Sequence, residues 1–343
     1  MKRTGISTDL YIEYLLSTFG NYTCSHLAEI LDCSHDAVSD ALRGHSLKPR
    51  GFWDWVRPHC PLERRRRGAM ILDDSVLDKN FSEKIENAYR QWSGNAHKVI
   101  TGIGLVNWLH YDPVTDDYLP IDYRIWDRER DGKSKHDHAR EMFAKALERE
   151  FCPDWVLFDA WYASVALMKM VDRADLWFFT RVRCNRLVSL VDEKGVYQRV
   201  DQLSWSQEEH DSGRLVWLRA FGWVRLFRIV RRQADGTERT EFHVTNHVQL
   251  DSLPMAKTIL GYRWKIEQYH RELKQLTGIE RCQARKQRSQ RNHIHCALVA
   301  WLRLWERAKH LGITVYEVKR RLLFDYLRDR IRLPEPPGAL HPT

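Results

Sequence analysis

Three carboxylates in this 343-residue chain occupy positions where acids can do metal-assisted chemistry. Asp74 follows an apolar run in ILDDS, Asp159 follows another in WVLFDAWYAS, and Glu267 lies in YRWKIEQYHRELK. If the two apolar runs are neighbouring strands, their acids converge, because strand geometry fixes where each side chain points. Residues 262 to 274 have helical spacing. There Arg263, Glu267, Arg271 and Lys274 recur at intervals of four, four and three, and so share one face. One carboxylate among three cations is suited to lie against a phosphodiester, since hard divalent ions take carboxylate and phosphate oxygens together. Each acid also has an ordinary reading. Asp at a strand end is commonly a turn or cap residue, and Glu267 could be a surface acid paired with Arg263 or Arg271.

The elements that must hold these residues can be read along the chain. In TCSHLAEILDCSHDAVSDALRG, Thr23 can cap a helix with Leu27, Ile30 and Leu31 on one side. Ser34 can cap a second helix with Val38, Ala41 and Leu42 inward. Ala28 is small where two helices of a helix-turn-helix touch, and Ser34, His35 and Ser39 are then its candidate DNA contacts. An ordinary αα-hairpin fits the same pattern. Residues 51–68, with Pro58, Pro61 and the run Arg64 to Arg67, read as a linker.

From residue 69 the reading is strand (Ala69 to Leu72), strand (Val99 to Leu109), strand (Tyr118 to Trp126), helix (His136 to Phe151), strand (Trp155 to Phe158), helix (Ser164 to Val171) and strand (Leu176 to Thr180). This is the order of an RNase H-like α/β fold, although other mixed-sheet folds share it. Residues 182–250 turn β-rich and read as an inserted unit. Residues 251–290 carry the Glu267 helix, and residues 291–343 read as basic helices ending in a disordered tail, PEPPGALHPT. Residues 1–50 form the N-terminal module and 69–181 the first part of the core.

Composition narrows the classes. With 55 Lys+Arg against 46 Asp+Glu the formal charge is +9 and the pI near 9.2. The cations cluster at Arg64 to Arg67, at Arg281, Arg285, Lys286, Arg288 and Arg291, and between Arg303 and Arg332, as phosphate contacts require. A mean hydropathy of −0.55 and the lack of any 18-residue apolar run argue against a membrane protein. The N-terminus has no signal-peptide pattern, so a cytoplasmic setting is expected. Seven cysteines contain no CxxC pair, which fits reduced thiols. His293, His295 and Cys296 lack a partner cluster and read as packing rather than zinc ligands. Nothing resembles a phosphate-binding glycine loop.

Over roughly residues 69 to 300 these motifs, in this order, resemble bacterial insertion-sequence transposases of the DDE class. The likeness is to the branch whose third acid lies in a Y-R-E-K helix signature. The resemblance implies that Asp74, Asp159 and Glu267 bind two Mg²⁺ ions, with Mn²⁺ able to substitute, and that Arg263 and Lys274 contact DNA. It prefers Asp74 over Asp73 because Ser75 matches the family's small hydroxyl position. The signature Tyr would fall at Leu260, whereas Tyr262 adjoins Arg263. Tyr262, Arg271, Arg285, Lys286 and Arg288 are the remaining candidate DNA contacts. The β-rich unit would be the insertion domain, and one of Trp205, Trp217 and Trp223 could stack a flipped base. Implied partners are double-stranded DNA, as transposon ends and target, and a second copy of the chain in a synaptic complex, in a bacterial, nucleoid-associated setting. A nuclease that cuts without joining and a non-catalytic DNA-binding regulator are the competing readings. Without metal the three acids should repel one another and hold raised pKa values.

Overall fold

The structure is a computed structural model that describes residues 6–94, 96–232 and 235–332; the PEPPGALHPT tail lies outside them. The helices are α1 (Thr8–Ser17), α2 (Cys24–Ile30), α3 (His35–Gly44), α4 (Pro49–Val56), α5 (Leu62–Arg65), α6 (Arg128–Asp131), α7 (Lys135–Glu148), α8 (Val165–Asp172), α9 (Gln207–Ser212), α10 (Leu253–Gly261), α11 (Trp264–Leu276), α12 (Gln287–Leu311) and α13 (Val315–Arg332). The strands are β1 (Ala69–Asp78), β2 (Tyr89–Ser93), β3 (Lys98–Asp112), β4 (Asp117–Trp126), β5 (Trp155–Phe158), β6 (Trp177–Val182), β7 (Leu187–Ser189), β8 (Gln198–Arg199), β9 (Arg214–Leu218), β10 (Gly222–Arg232) and β11 (Glu238–Thr245). The chain divides into two units. One comprises Met1–Trp55, Leu77–Ile103 and Tyr269–Thr343, the other Val56–Val76 and Gly104–Gln268.

In the first unit, Thr23 and Ser34 cap α2 and α3 through their side-chain oxygens, as the sequence suggests. Leu27, Ala28, Val38 and Leu42 are buried, but Ile30 is 60% exposed, so the buried stripe of α2 is narrower than its apolar spacing implied. Helix α1 packs on α12 and α13. The buried Lys319 donates from Nζ to the carbonyls of Leu15 and Leu16, satisfying acceptors that the end of α1 leaves open. His293 bridges the Tyr11 hydroxyl at 2.9 Å and the Gly278 carbonyl at 3.1 Å, and His295 packs edge-on against Phe52. Burial lowers the pKa of His293 to about 3 and of His295 to about 4, so both are neutral core residues. All seven cysteines are free thiols.

The stretch read as a linker is largely helical. Pro49 opens α4, where its missing N–H costs nothing, and Phe52, Val56 and Cys60 are fully buried. The Arg64 to Arg67 run is also not a free basic patch. Arg64 pairs with Asp117 at 3.0 Å, and Arg65 donates to the Cys60 and Arg149 carbonyls. Arg67 makes a two-pronged bond to the buried Asp112, with Nε to Oδ1 at 3.0 Å and Nη2 to Oδ2 at 2.6 Å. Three of the four arginines therefore tie the entry to β1 into the fold, while Arg66 is exposed.

The second unit is built on a mixed sheet in the order β3-β1-β5-β6-β11-β10-β9-β7-β8, with β4 pairing β3. β1 pairs β5 in parallel from Ala69↔Trp155 to Leu72↔Phe158, and β5 pairs β6 in parallel, while β4 is antiparallel to β3. Helices α7 and α8 make the crossovers into β5 and β6. The runs Ala69 to Leu72 and Val156 to Phe158 are buried throughout, as parallel strands covered on both faces must be. This is an RNase H-like arrangement. One sequence expectation needs correction. β1 does not end at Leu72 but continues through both acids to Asp78. The β-rich segment also extends the same sheet, because β11 pairs β6 from Phe242↔Val182 to Thr245↔Phe179 and covers what would otherwise be an open strand edge. Trp217 and Trp223 face each other as a cross-strand pair, their rings edge-on at 5.7 Å. Among the described residues, no helix is long and apolar enough to cross a membrane.

Candidate active site

The register of β1 and β5 creates the site. Leu72 is paired with Phe158, so the next residues, Asp73 within β1 and Asp159 just past the end of β5, lie side by side. Asp159 ends β5 and turns the chain: its Oδ1 accepts the backbone N–H groups of Trp161 at 3.0 Å and Tyr162 at 3.1 Å. Asp74 is held from two directions. Oδ2 accepts from Lys135 Nζ at 2.6 Å, and Oδ1 accepts from the fully buried Tyr162 hydroxyl at 2.9 Å. Lys135 is fixed because it opens α7 behind a Ser134–Asp137 capping box, with its ammonium 5.3 Å over the Trp126 ring.

Glu267 reaches this cluster through Arg263. One guanidinium nitrogen lies 2.8 Å from Glu267 Oε1 and another 3.4 Å from Asp73 Oδ2. Arg263 sits at the junction of α10 and α11. The Tyr262 ring beside it packs against Tyr111, with centroids 5.0 Å apart. The Arg263, Glu267 pair is thus the i, i+4 contact that helical spacing suggests.

The electrostatics bear the mark of crowded acids. Burial pushes Asp73 up to about 8 against the attraction of Arg263, with the charges of Asp159 and Asp74 adding to the rise. Burial also raises Asp159, opposed by its backbone N–H bonds and by Arg263, while Asp74 adds to the rise. Tyr162 is held far above the ordinary phenol range, first by burial and then by Asp74. His136 is lowered by burial and by Arg140, and so stands neutral beside the cluster.

Among the described residues no three Asp, Glu, His or Cys side chains stand close enough together to hold one ion. The reason is visible in the contacts: Lys135 and Arg263 neutralise the acids from within. The donor set nevertheless suits Mg²⁺ or Mn²⁺, since it consists of carboxylate oxygens, and burial together with neighbouring acids raises the pKa values of Asp73 and Asp159.

Asp74, Asp159, Glu267 and Arg263 come together within the second unit. Tyr262 also lies in the second unit, and the other candidate DNA contacts lie in the first. Lys274 pairs with Glu280 at 2.8 Å and Lys286 with Glu86 at 2.9 Å. Arg288 donates to the His45 carbonyl at 2.8 Å, while Arg271 is exposed. The Arg285 carbonyl accepts from the Glu86 N–H. Ser34 is used as a cap, and His35 and Ser39 approach each other at 3.4 Å on the outer side of α3. Sequence reasoning missed Lys135 and Tyr162. Tyr162 lies three residues beyond Asp159, within reach of a turn, whereas nothing in the spacing of Lys135, 61 residues from Asp74, points to it.

A family model described as transposase DDE domain matches residues 115–303, more than half of the chain. That span contains Lys135, Asp159, Tyr162, Arg263 and Glu267, and begins after Asp73 and Asp74. No curated protein matches the chain.

Proposed function

Since the chain belongs to the transposase DDE domain family, we propose that it cuts DNA at the ends of an insertion sequence and joins the freed ends to a target. Asp74, Asp159 and Glu267 would act as its acids. The observation that carries this reading is the pairing of Leu72 with Phe158, which sets Asp73, the neighbour of Asp74, beside Asp159 on the adjacent parallel strand, with Arg263 linking Asp73 to Glu267. Divalent ions of the Mg²⁺ class, held by these carboxylates, would supply an activated water and neutralise charge on the phosphodiester.

The chain's own groups have separable tasks. Tyr162 and Lys135 fix the two oxygens of Asp74, and the turn at Trp161 and Tyr162 fixes Asp159. Arg263 is placed to pass its charge from Glu267 to a phosphate oxygen, as a planar guanidinium does well. In the first step a water oxygen bonds to phosphorus, the bond from phosphorus to the 3′-oxygen breaks, and that oxygen leaves as a 3′-hydroxyl. In the second step the same hydroxyl attacks a target phosphorus and displaces a target 3′-oxygen. We further propose that α2 and α3, through Ser34, His35 and Ser39, together with Tyr262, Arg271, Lys274, Arg285, Lys286 and Arg288, contact duplex DNA, and that two copies act on paired ends.

The experiment is a cleavage and strand-transfer assay on an end fragment with Mg²⁺ or Mn²⁺. Asp74→Ala, Asp159→Ala and Glu267→Ala should each abolish both steps while DNA binding persists, and Asp73→Ala in the same series decides which neighbour is the first acid. Cutting without joining of a pre-cleaved end would make the protein a nuclease. Binding without cutting would make it a regulator.

A further inference from the structure

In the first unit, β2 is the outermost strand of its sheet among the described residues and pairs β3 alone, from Tyr89↔Gly102 to Ser93↔Lys98. An outermost strand turns one row of backbone donors and acceptors away from the sheet, and such edges are commonly blunted by proline, a bulge or charge. β2 has no proline, and its register with β3 is unbroken. Its outer face bears Arg90 and Trp92, both exposed. Trp92 is 62% exposed beside Val99, its cross-strand neighbour, at 50%. The proposed DNA chemistry uses none of these side chains.

The five residues are self-complementary. Antiparallel pairing of β2 with a second β2, about a two-fold axis at Gln91, sets Tyr89 opposite Ser93 and Arg90 opposite Trp92, each of them twice. Residues directly opposite share a face, with Cβ atoms ~4.5–5.5 Å apart. Each guanidinium is then within reach of the indole of the other copy, and so the exposed charge joins the strands where it would otherwise keep them apart. The register is specific. An axis at Arg90 would oppose the two arginines, and an axis at Trp92 would set neither arginine opposite a ring. The axis at Gln91 also meets a need within the strand. Gln91 Nε2 donates to the Gly102 carbonyl at 2.9 Å, while Oε1 is buried without a hydrogen-bond partner. A buried acceptor with no donor is costly. On the axis the amide faces its own copy, whose second Nε2 hydrogen can supply the missing donor.

We infer that β2 is a docking edge for a second copy of this chain, with Arg90 of each copy on Trp92 of the other across a two-fold axis at Gln91. The inference rests on the two-copy part of the proposed function and gives it a surface. A pair of five-residue strands buries less than the ~1,200 Å² of standard interfaces, so the association is weak and reversible. It needs neither DNA nor metal. The test is sedimentation equilibrium of the full chain in EDTA, from low micromolar to several hundred micromolar protein. Wild type should pass from monomer to dimer. Trp92→Arg, at an exposed position, opposes arginine to arginine twice and should weaken the dimer at least about tenfold. Exchanging the residues, Arg90→Trp together with Trp92→Arg, rebuilds both cross-copy contacts and should restore it. Gln91→Cys gives a second readout that does not depend on the exchange: oxidation by diamide should link two copies through this position, to an extent that the wild-type thiols do not reach. A wild type that stays monomeric or grows beyond a dimer overturns the docking edge. So does a Trp92→Arg variant that dimerises like wild type, a double variant no better than Trp92→Arg, or a Gln91→Cys variant that links no more than wild type. None of these results touches the cutting reading, which fails separately in the strand-transfer assay; a dimer that cuts no DNA overturns that reading and leaves the edge.

Discussion

Replacing Asp73 by Asn should make the metal-free protein more stable, most of all above neutral pH. The side chain is confined beside Asp74 and Asp159, and its carboxyl holds its proton up to about 8. In the unfolded chain it ionises near the ordinary Asp value of about 3.9. A group whose folded pKa is raised contributes stability that is fully present below the unfolded value and lost as pH rises through the folded one. The wild-type protein should therefore weaken progressively between about pH 4 and pH 8. Each pKa unit corresponds to about 1.4 kcal/mol, and relaxation together with partial solvent access reduces the full shift to roughly 2–3 kcal/mol at pH 8. The single amide oxygen can keep the 2.9 Å bond from the Asp74 N–H and gives up only the long 3.4 Å contact from Arg263, so little else is lost. At ~2–4 °C per kcal/mol, Asp73→Asn should melt roughly 5–10 °C higher than wild type at pH 8 and much closer to it at pH 5. The assay is thermal melting in EDTA across that range. A variant that loses stability in parallel with wild type, or melts below it at pH 8, refutes the argument that Asp73 is strained by its neighbours.

Other outcomes follow from single contacts. Tyr162→Phe removes the hydroxyl from Asp74 and should lower the cleavage rate by about 10–100-fold with DNA affinity unchanged, measured by single-turnover kinetics beside a binding titration. Arg67→Met leaves the buried Asp112 without its two-pronged partner and should cost about 3–5 kcal/mol in urea unfolding. Gly278→Ala should destabilise strongly, because the backbone there has φ +62° and an added Cβ would lie 2.2 Å from the Tyr22 ring; a melting temperature equal to wild type would count against that packing. Lys319→Met should flatten the stability profile at high pH. Burial lowers this ammonium to about 8, so wild type gains stability from about pH 8 up to the ordinary Lys value, and the variant does not.

Much of the core was legible because its signals are local. The run Trp155 to Phe158 is a strand with the expected limits, Ser164 caps α8, and α10 begins at Leu253. Helical spacing found the Arg263, Glu267 pair for the same reason. What escaped depended on partners far away in sequence. The RRRR run looks like a phosphate patch until Asp112 and Asp117 are brought to it. The β-rich segment looks separate until β11 finds the edge of β6. Asp73 and Asp74 cannot be told apart by composition, because strand register and the reach of Lys135 and Tyr162 assign their surroundings. Ile30 misled because helix spacing marks a face without saying how much of it a neighbour covers.

The cations inside the acid cluster bear on the order in which the protein is assembled. A site whose negative charge depended on metal would leave the nascent chain waiting for ions before it could close. Here Lys135 and Arg263 act as built-in stand-ins, so folding and ion loading become separate events. On the proposed reading an ion would compete for carboxylates already engaged by Lys135 and Arg263. On that reading the chain would fold in chelator, and the proposed cutting would wait for metal and DNA together.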